Sequence, residues 1–299
     1  MKKSWKAFWI VCISLVVLGI ALCIAGLVLG ATVSGIREAF GIHDRWENYF
    51  LDDYDELEDG GSVSGGTGYA ASEGHHLENS ASVSRFSGIR ELDIDVTCLE
   101  VRIVKGEESD IIVDTSGITD KMLKDLVIPQ EDEEIKIELK DRNIWENWSK
   151  NQYKSQGTLL IQIPDGMQFD EVSLLVGAGI LYADDIQAKE LDIEVGAGQV
   201  SLDSFTADKL DLECGAGEAI VRGNAVREAN IECGVGSVAY TAVGYQQDYN
   251  YELSCGIGEL IVGNDSFSGL GKERSIDNGG SKSMDIECGI GSVTVAFEE

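Results

Sequence analysis

The fold is decided by the stretch LDIEVGAGQVSL at 191–202, because this unit recurs through the second half of the chain. The other copies read VSLLVGAGILYA at 172–183, LDLECGAGEAIV at 210–221, ANIECGVGSVAY at 229–240, YELSCGIGELIV at 251–262 and MDIECGIGSVTV at 284–295. LDIDVTCLEVRI at 92–103 fits the same frame without the glycines. The glycine pairs follow one another at intervals of 19, 19, 19, 22 and 33 residues. Such a period predicts a repeat architecture.

Within each copy, apolar and polar residues alternate as they do in a strand with one buried face. Leu191, Ile193 and Val195 are predicted to face inward, and the alternation resumes at Val200 with its parity changed. A bend at the glycines would explain the change, because glycine tolerates both positive φ and a close backbone approach. The repeat therefore predicts an all-β, single-stranded β-solenoid (β-helix) of about six or seven stacked rungs. The predicted structural turns are Gly177, Gly179, Gly196, Gly198, Gly215, Gly217, Gly234, Gly236, Gly256, Gly258, Gly289 and Gly291.

The N-terminal region predicts a membrane anchor. Residues 7–36 contain no charged side chain and exceed the roughly 20 apolar residues that a helix needs to cross a bilayer. Lysines precede this run and acidic residues follow it, so the positive-inside rule assigns 1–6 to the cytoplasm. A cleavable signal ending near Ala31 is the alternative. We expect a single-pass protein of the cell membrane, with an acidic, Gly/Ser-rich linker at 37–85 and an extracytoplasmic solenoid at 86–299.

The net charge of −30 argues against nucleic acid as a partner and raises the question of cation binding. An acidic surface repels phosphate, so nucleic-acid binding is not expected. Acidic positions recur in the copies and should stack on one outward face. This pattern is typical of a solvated face, with weak Ca²⁺ binding between neighbouring carboxylates as the alternative. The weak Ca²⁺ candidates are Asp192, Glu194, Asp211, Glu213, Glu232, Asp285 and Glu287.

Cysteine precedes the first glycine in four of the copies, at Cys214, Cys233, Cys255 and Cys288. Valine holds this position in the two earlier copies, so we interpret it as an inward apolar slot and predict a buried thiol ladder. Disulfides between neighbouring rungs and a metal site are the alternatives.

Residues able to support catalysis are scarce. All three histidines (His43, His75 and His76) precede the predicted solenoid, which removes the base of a nucleophilic triad. No helical pattern follows the Gly-x-Gly pairs, so they do not predict a phosphate-binding loop. We expect no enzyme activity and no cofactor. Trp145, Trp148 and Tyr153 lie in one predicted loop, where they could contact a partner or cap the core.

The ordered set of these motifs resembles the bacterial putative-adhesin family known as domain of unknown function 4097. IQIPDGMQFDEV at 161–172, the succession of aliphatic-x-aliphatic-Glu-x-Gly-x-Gly units, and DNGGSKSMDIECGIGSVTV at 277–295 carry the resemblance, which covers about 90–299. It implies a β-helix on an envelope protein, sometimes near envelope-stress genes, with no established catalytic activity.

Together these observations favour a membrane-anchored, non-catalytic surface module with an adhesin-like or envelope-stress role. An envelope protein or a glycan would be its partner. A carbohydrate-active enzyme on a β-helix and a purely structural envelope spacer are the alternatives.

Overall fold

The computed structural model describes residues 82–139, 157–267 and 271–298, which are almost entirely β-structure. In chain order the strands are β1 (Val83–Phe86), β2 (Glu91–Val96), β3 (Glu100–Gly106), β4 (Ile111–Asp114), β5 (Leu126–Val127), β6 (Gln130–Glu131), β7 (Glu134–Leu139), β8 (Thr158–Pro164), β9 (Gln168–Val176), β10 (Ile180–Ala183), β11 (Ile186–Val195), β12 (Gln199–Leu202), β13 (Phe205–Cys214), β14 (Glu218–Cys233), β15 (Ser237–Val243), β16 (Tyr249–Cys255), β17 (Glu259–Val262), β18 (Asp265–Ser266), β19 (Lys272–Ile276), β20 (Lys282–Cys288) and β21 (Ser292–Glu298). A short helix α1 (Asp120–Leu123) and one 3-10 turn (Gln246–Asp248) complete the described elements.

Each repeat forms one rung whose inward side chains can be followed around the core. Between Leu202 and Val221 the buried residues are Leu202, Phe205, Ala207, Leu210, Leu212, Cys214, Ala219 and Val221. Most neighbours in this series are two apart, as in a strand, but three of the steps are odd. Because an odd step reverses which face points inward, the chain must turn a corner at each one. The predicted parity change at the glycines is the largest of these three corners.

The rungs stack through parallel pairing, with equivalent residues opposite one another. β9, β11, β13 and the second half of β14 pair in order on one side of the core. On the other side β10, β12, the first half of β14 and β15 do the same. Ile193, for example, lies opposite Leu212, and both are buried. The predicted all-β, solenoid-like stack is therefore confirmed in the middle of the domain.

At the C-terminal end the rungs do not stack in sequence order, although the succession of copies along the chain would suggest it. β20 pairs with β14 on one edge and with β16 on the other, while β21 lies between β15 and β17. The last copy thus fills a rung that the chain passes over after β15. Filling it gives β20 and β21 a backbone partner on both edges, as buried N–H and C=O groups require.

At the N-terminal end, too, the rungs do not stack in sequence order. β2 lies between β7 and β9, and β3 lies between β8 and β10, so the 92–103 copy is the second rung rather than the first. The first rung is formed by β7 and β8. The described residues make eight rungs, compared with the expected six or seven.

Antiparallel strands cover the outer edges of the stack: β1 and β4 at one end, β18 and β19 at the other. Covered edges resist pairing with other chains.

The glycine corners owe their glycines to close packing, not to unusual dihedral angles. Among the described glycines, those with positive φ include Gly88 and Gly279, but none of the twelve repeat glycines is among them. Of the two properties of glycine that could explain these corners, positive φ does not apply here and close backbone approach does. A Cβ atom on Gly217 would lie 2.3 Å from the carbonyl oxygen of Gly198 in the adjacent rung. Only a residue without a side chain lets two rungs meet at this corner.

The predicted anchor at 7–36, most of the predicted linker, and the loop containing Trp145, Trp148 and Tyr153 lie outside the described residues. Within the part that is described, no helix is long and apolar enough to span a bilayer.

Candidate functional site

An acidic face is formed by the outward side chains of β11, β13, β14 and β20. Two columns of equivalent residues run along it, one rung apart at each step. They are Asp192–Asp211–Asn230–Asp285 and Glu194–Glu213–Glu232–Glu287. The structure thus brings together on one face all seven residues that the repeat marked as acidic candidates. Alternation places them there, since every second residue of these strands must face outward.

The acidic face is concave and forms an open, shallow groove of about 650 Å³. Asn230, Ser173 and Leu175 line the groove together with eight carboxylate side chains. The eight are Asp192, Glu194, Asp211, Glu213, Glu228, Glu232, Asp285 and Glu287. No aromatic side chain is among the described residues that line the groove. The groove therefore offers charge and hydrogen-bond acceptors but no platform on which a sugar ring could stack.

Most of this charge has no counter-ion from the chain itself. Lys209 Nζ lies 2.5 Å from Asp211 Oδ2, and Asn230 donates a hydrogen bond of 2.7 Å to the other oxygen of the same carboxylate. In the ranges that the structure describes, the glutamates of the second column form no salt bridge. These exposed carboxylates stay available to a cationic partner from outside.

Asp192 and Asp211 form a coupled pair on neighbouring strands. Burial, and then the charge of Asp211, raise the pKa of Asp192 to about 6. Burial also acts against the Asp211 carboxylate, but hydrogen bonds from Lys209 and Asn230 outweigh it and lower the pKa of Asp211. Below about pH 6, therefore, Asp192 is the member of the pair that holds a proton and can donate it in a hydrogen bond to Asp211.

The carboxylates stand in columns and do not converge on one point. Among the described residues, no three His, Cys, Asp or Glu side chains are grouped so that they could hold a metal ion. Ca²⁺ usually takes six to eight oxygen ligands around one centre. Weak Ca²⁺ binding between neighbouring carboxylates stays a prediction.

The four repeat cysteines lie in one column inside the core. Cys214 is opposite Cys233, Cys233 is opposite Cys288, and Cys288 is opposite Cys255. All four are buried free thiols, in line with Val195 of the preceding rung. Burial raises the pKa of the Cys214 and Cys233 thiols and raises that of Cys288 to about 11. The thiols of Cys214, Cys233 and Cys288 are therefore protonated at neutral pH and poor nucleophiles.

A polar cluster that no sequence motif marks lies beside the acidic face. Lys282 Nζ donates a 2.8 Å hydrogen bond to Asn224 and lies 5.0 Å from the centre of the Tyr249 ring. Burial lowers the pKa of Lys282. The Tyr249 hydroxyl in turn donates to the carbonyl oxygen of Ala225, at 3.3 Å. These residues come from three rungs. They meet only because β20 lies between β14 and β16 in the stack.

Comparison with known proteins gives a family but no characterised relative. The family model described as Toastrack DUF4097 matches residues 89–248 and again 165–295. No curated protein matches the chain.

Several solved structures are similar to this chain at low sequence identity. A putative cell adhesion protein from Clostridium sporogenes ATCC 15579 is 14% identical, with a TM-score of 0.34, over 72% of this chain and 98% of that one. A putative adhesin from Bacteroides fragilis NCTC 9343 is 14% identical, with a TM-score of 0.32, over 71% and 94% of the two chains. A putative adhesin from Parabacteroides merdae ATCC 43184 is 14% identical, with a TM-score of 0.34, over 74% and 96%. Since the family model spans more than half of the residues, the chain belongs to the Toastrack DUF4097 family.

Proposed function

We propose that this protein is a non-catalytic, adhesin-like binding module. In this proposal a helix at 7–36 anchors it in the cell membrane, a linker at 37–85 separates it from the bilayer, and the stacked domain faces the cell exterior. The acidic face is the contact surface, and its partner is an envelope protein or glycan that carries cationic groups.

The observation that carries this proposal is the groove of the acidic face. Its carboxylates repeat from rung to rung and mostly lack counter-ions, so they offer an extended surface of one sign. A rigid stack holds them in place, and binding would therefore cost little ordering of the protein. The chain belongs to the family whose resemblance implies an adhesin-like envelope protein, which fits the same function.

Two alternatives are less well supported. A carbohydrate-active enzyme would need acidic side chains with differing roles and aromatic residues in one cleft, whereas the groove repeats the same acids without aromatics. A structural envelope spacer would bind nothing specifically, and a capture experiment separates it from a binding module.

That experiment uses the full-length chain on beads and an envelope extract from the cells that make it. The test variant carries Glu194→Gln, Glu213→Gln, Glu232→Gln and Glu287→Gln. The matched control removes four exposed acids elsewhere, through Glu107→Gln, Asp120→Asn, Asp125→Asn and Glu131→Gln. We expect the wild type and the control to enrich the same protein or glycan, and the test variant to lose it. Equal capture by all three, or no capture by the wild type, would overturn the proposal.

The proposed placement of the domain outside the cell membrane has a separate test. A membrane-impermeant amine-reactive biotin reagent should label the full-length chain on intact cells, and the labelled chain should sediment with the membranes. Labelling only after lysis would refute the extracytoplasmic placement.

A further inference from the structure

The middle residue of each Gly-x-Gly corner is apolar and exposed in six successive rungs. In spatial order these residues, here called the corner ridge, are Ala178, Ala197, Ala216, Val235, Ile290 and Ile257. The exposed fractions of the last three are 58%, 63% and 68%. An exposed corner between two glycines would ordinarily carry a polar residue.

Backbone hydrogen bonds hold the corner ridge in line. The amide of Val235 donates to the carbonyl oxygen of Gly215, that of Ile290 to Gly234, and that of Ile257 to Gly289, each at 2.8 Å. Each bond joins a ridge residue to the adjacent rung, so the side chains follow one another at the strand spacing of about 4.8 Å. Three large aliphatic side chains thus form one continuous exposed strip, and such strips mark interaction sites.

The surroundings of the corner ridge define what could cover it. The glutamate column of the acidic face runs alongside, with Glu232 and Glu287 three residues before Val235 and Ile290. A second copy of this chain, or an anionic lipid surface, would bring negative charge against this column and be repelled. The partner must therefore present aliphatic side chains with lysine or arginine beside them.

The spacing also limits the partner's conformation. Same-face side chains in an extended strand recur about every 6.6 Å, which does not match the rungs. A helix lying along the ridge presents one side chain per turn of about 5.4 Å, close to the rung spacing. Its i and i+3 side chains, about 4.5 Å apart along the axis, could pack beside successive ridge residues while flanking basic residues reach the glutamates.

We infer that the corner ridge docks an amphipathic α-helix of a partner protein, one with a narrow aliphatic stripe bordered by lysine or arginine. The inference rests on the proposed function, because the basic residues of this helix would bind the glutamate column of the acidic face.

The test measures binding of a fluorescein-labelled helical peptide of about 18 residues, with leucine along one stripe and lysine beside it. The full-length chain is held in phosphatidylcholine nanodiscs, and empty discs serve as the blank. The ridge variant is Val235→Ser, Ile257→Ser and Ile290→Ser. Its control, Val127→Ser with Val226→Ser, removes exposed aliphatics from other positions. We expect the ridge variant to weaken binding about tenfold or more and the control to leave it unchanged.

Two further peptides complete the design. Replacing lysine by glutamate should abolish binding, and replacing leucine by serine should weaken it about as much as the ridge variant does. Equal binding of the serine peptide, or an unaltered affinity of the ridge variant, would overturn the inference. Ridge-dependent self-association in sedimentation, or ridge-dependent binding to anionic vesicles, would also overturn it.

The two proposals can fail separately. If envelope capture does not depend on the glutamates while the leucine–lysine peptide still requires the ridge, only the proposed function is lost. If capture depends on the glutamates while the ridge variant binds the peptide normally, only this inference is lost.

Discussion

The hydroxyl oxygens of Ser237 and Ser292 lie 3.3 Å apart although 55 residues separate them in the chain. Sequential stacking would instead place Glu259 beside Ser237, because Glu259 belongs to the next copy. In the structure Glu259 pairs with Ser292 on its other side, one rung further away.

This relationship predicts which engineered disulfide forms. Ser237→Cys with Ser292→Cys should cross-link on mild oxidation, since opposite residues on neighbouring strands lie within disulfide range. The matched pair Ser237→Cys with Glu259→Cys should remain reduced, because two strand spacings exceed that range. Peptide mapping without reductant reads the result, and the reverse pattern would mean that the rungs stack in sequence order.

The glycine corners should differ in their tolerance of alanine. A Cβ atom on Gly217 would lie 2.3 Å from the Gly198 carbonyl oxygen and 2.7 Å from Val195 Cγ1. On Gly215 the nearest atom would be 3.0 Å away. Gly217→Ala should therefore lower the free energy of unfolding by about 1–3 kcal/mol or more, and Gly215→Ala by less. Urea unfolding measures both, and equal losses would contradict the close-approach explanation.

The Asp192–Asp211 pair should make stability depend on pH. Because the folded state raises the pKa of Asp192 to about 6, it binds this proton more tightly than the unfolded chain does. The resulting stabilisation is present below about pH 4 and is lost as the pH rises through about 6. Asp192→Asn mimics the protonated form, so it should be more stable than the wild type at pH 7 and lose that advantage towards pH 4. Thermal unfolding across this range is the measurement. A constant difference between the two proteins would argue against the shared proton.

The thiol column should react slowly in the folded protein. Burial disfavours the thiolate at Cys214, Cys233 and Cys288, and iodoacetamide reacts with the thiolate. We expect these cysteines to be alkylated at least about 100-fold more slowly than in urea, where the chain is open. Cys98, which is only partly buried, should be labelled first. Mass spectrometry of individual peptides follows each site, and rapid native labelling of Cys214 would contradict its placement in the core.

The glutamate column should reduce stability through repulsion between rungs. Glu232 lies opposite both Glu213 and Glu287, and like charges at such positions destabilise a sheet. Glu232→Gln should therefore raise the free energy of unfolding by about 0.2–1 kcal/mol, with a smaller gain in high salt. As a control, Asp208→Asn removes an acid that pairs with Arg227 at 3.2 Å and should bring no gain. Destabilisation by Glu232→Gln would indicate a favourable contact at this position instead.

Much of a single rung could be predicted from the sequence. The inward set Leu191, Ile193 and Val195, the parity change before Val200, and the common face of Asp192 and Glu194 all agree with the structure. These features are local, because side chains in a strand alternate with a period of two whatever the rest of the chain does.

The contacts between rungs could not be predicted from the sequence in the same way. The sequence offered two explanations for the glycines, and only the carbonyl of Gly198 against Gly217 separates them. The contact of Lys282 with Asn224 could not be read from any motif either, since it joins distant copies. The same holds for the aliphatic strip that continues from Val235 to Ile290 before it reaches Ile257.

The sequence by itself therefore determined the class of fold, the inward and outward residues, and the acidic face, since all of these follow from the alternation and the period. The order in which the rungs stack was decided only by the tertiary structure. Each copy carries the same apolar ladder and could pair with any other, so the pattern favours no neighbour. In the structure β18 and β19 cover the outer edges of β17 and β16, while the last copy lies inside the stack. With them in place, the last copy pairs its backbone on both sides instead of ending at an open edge.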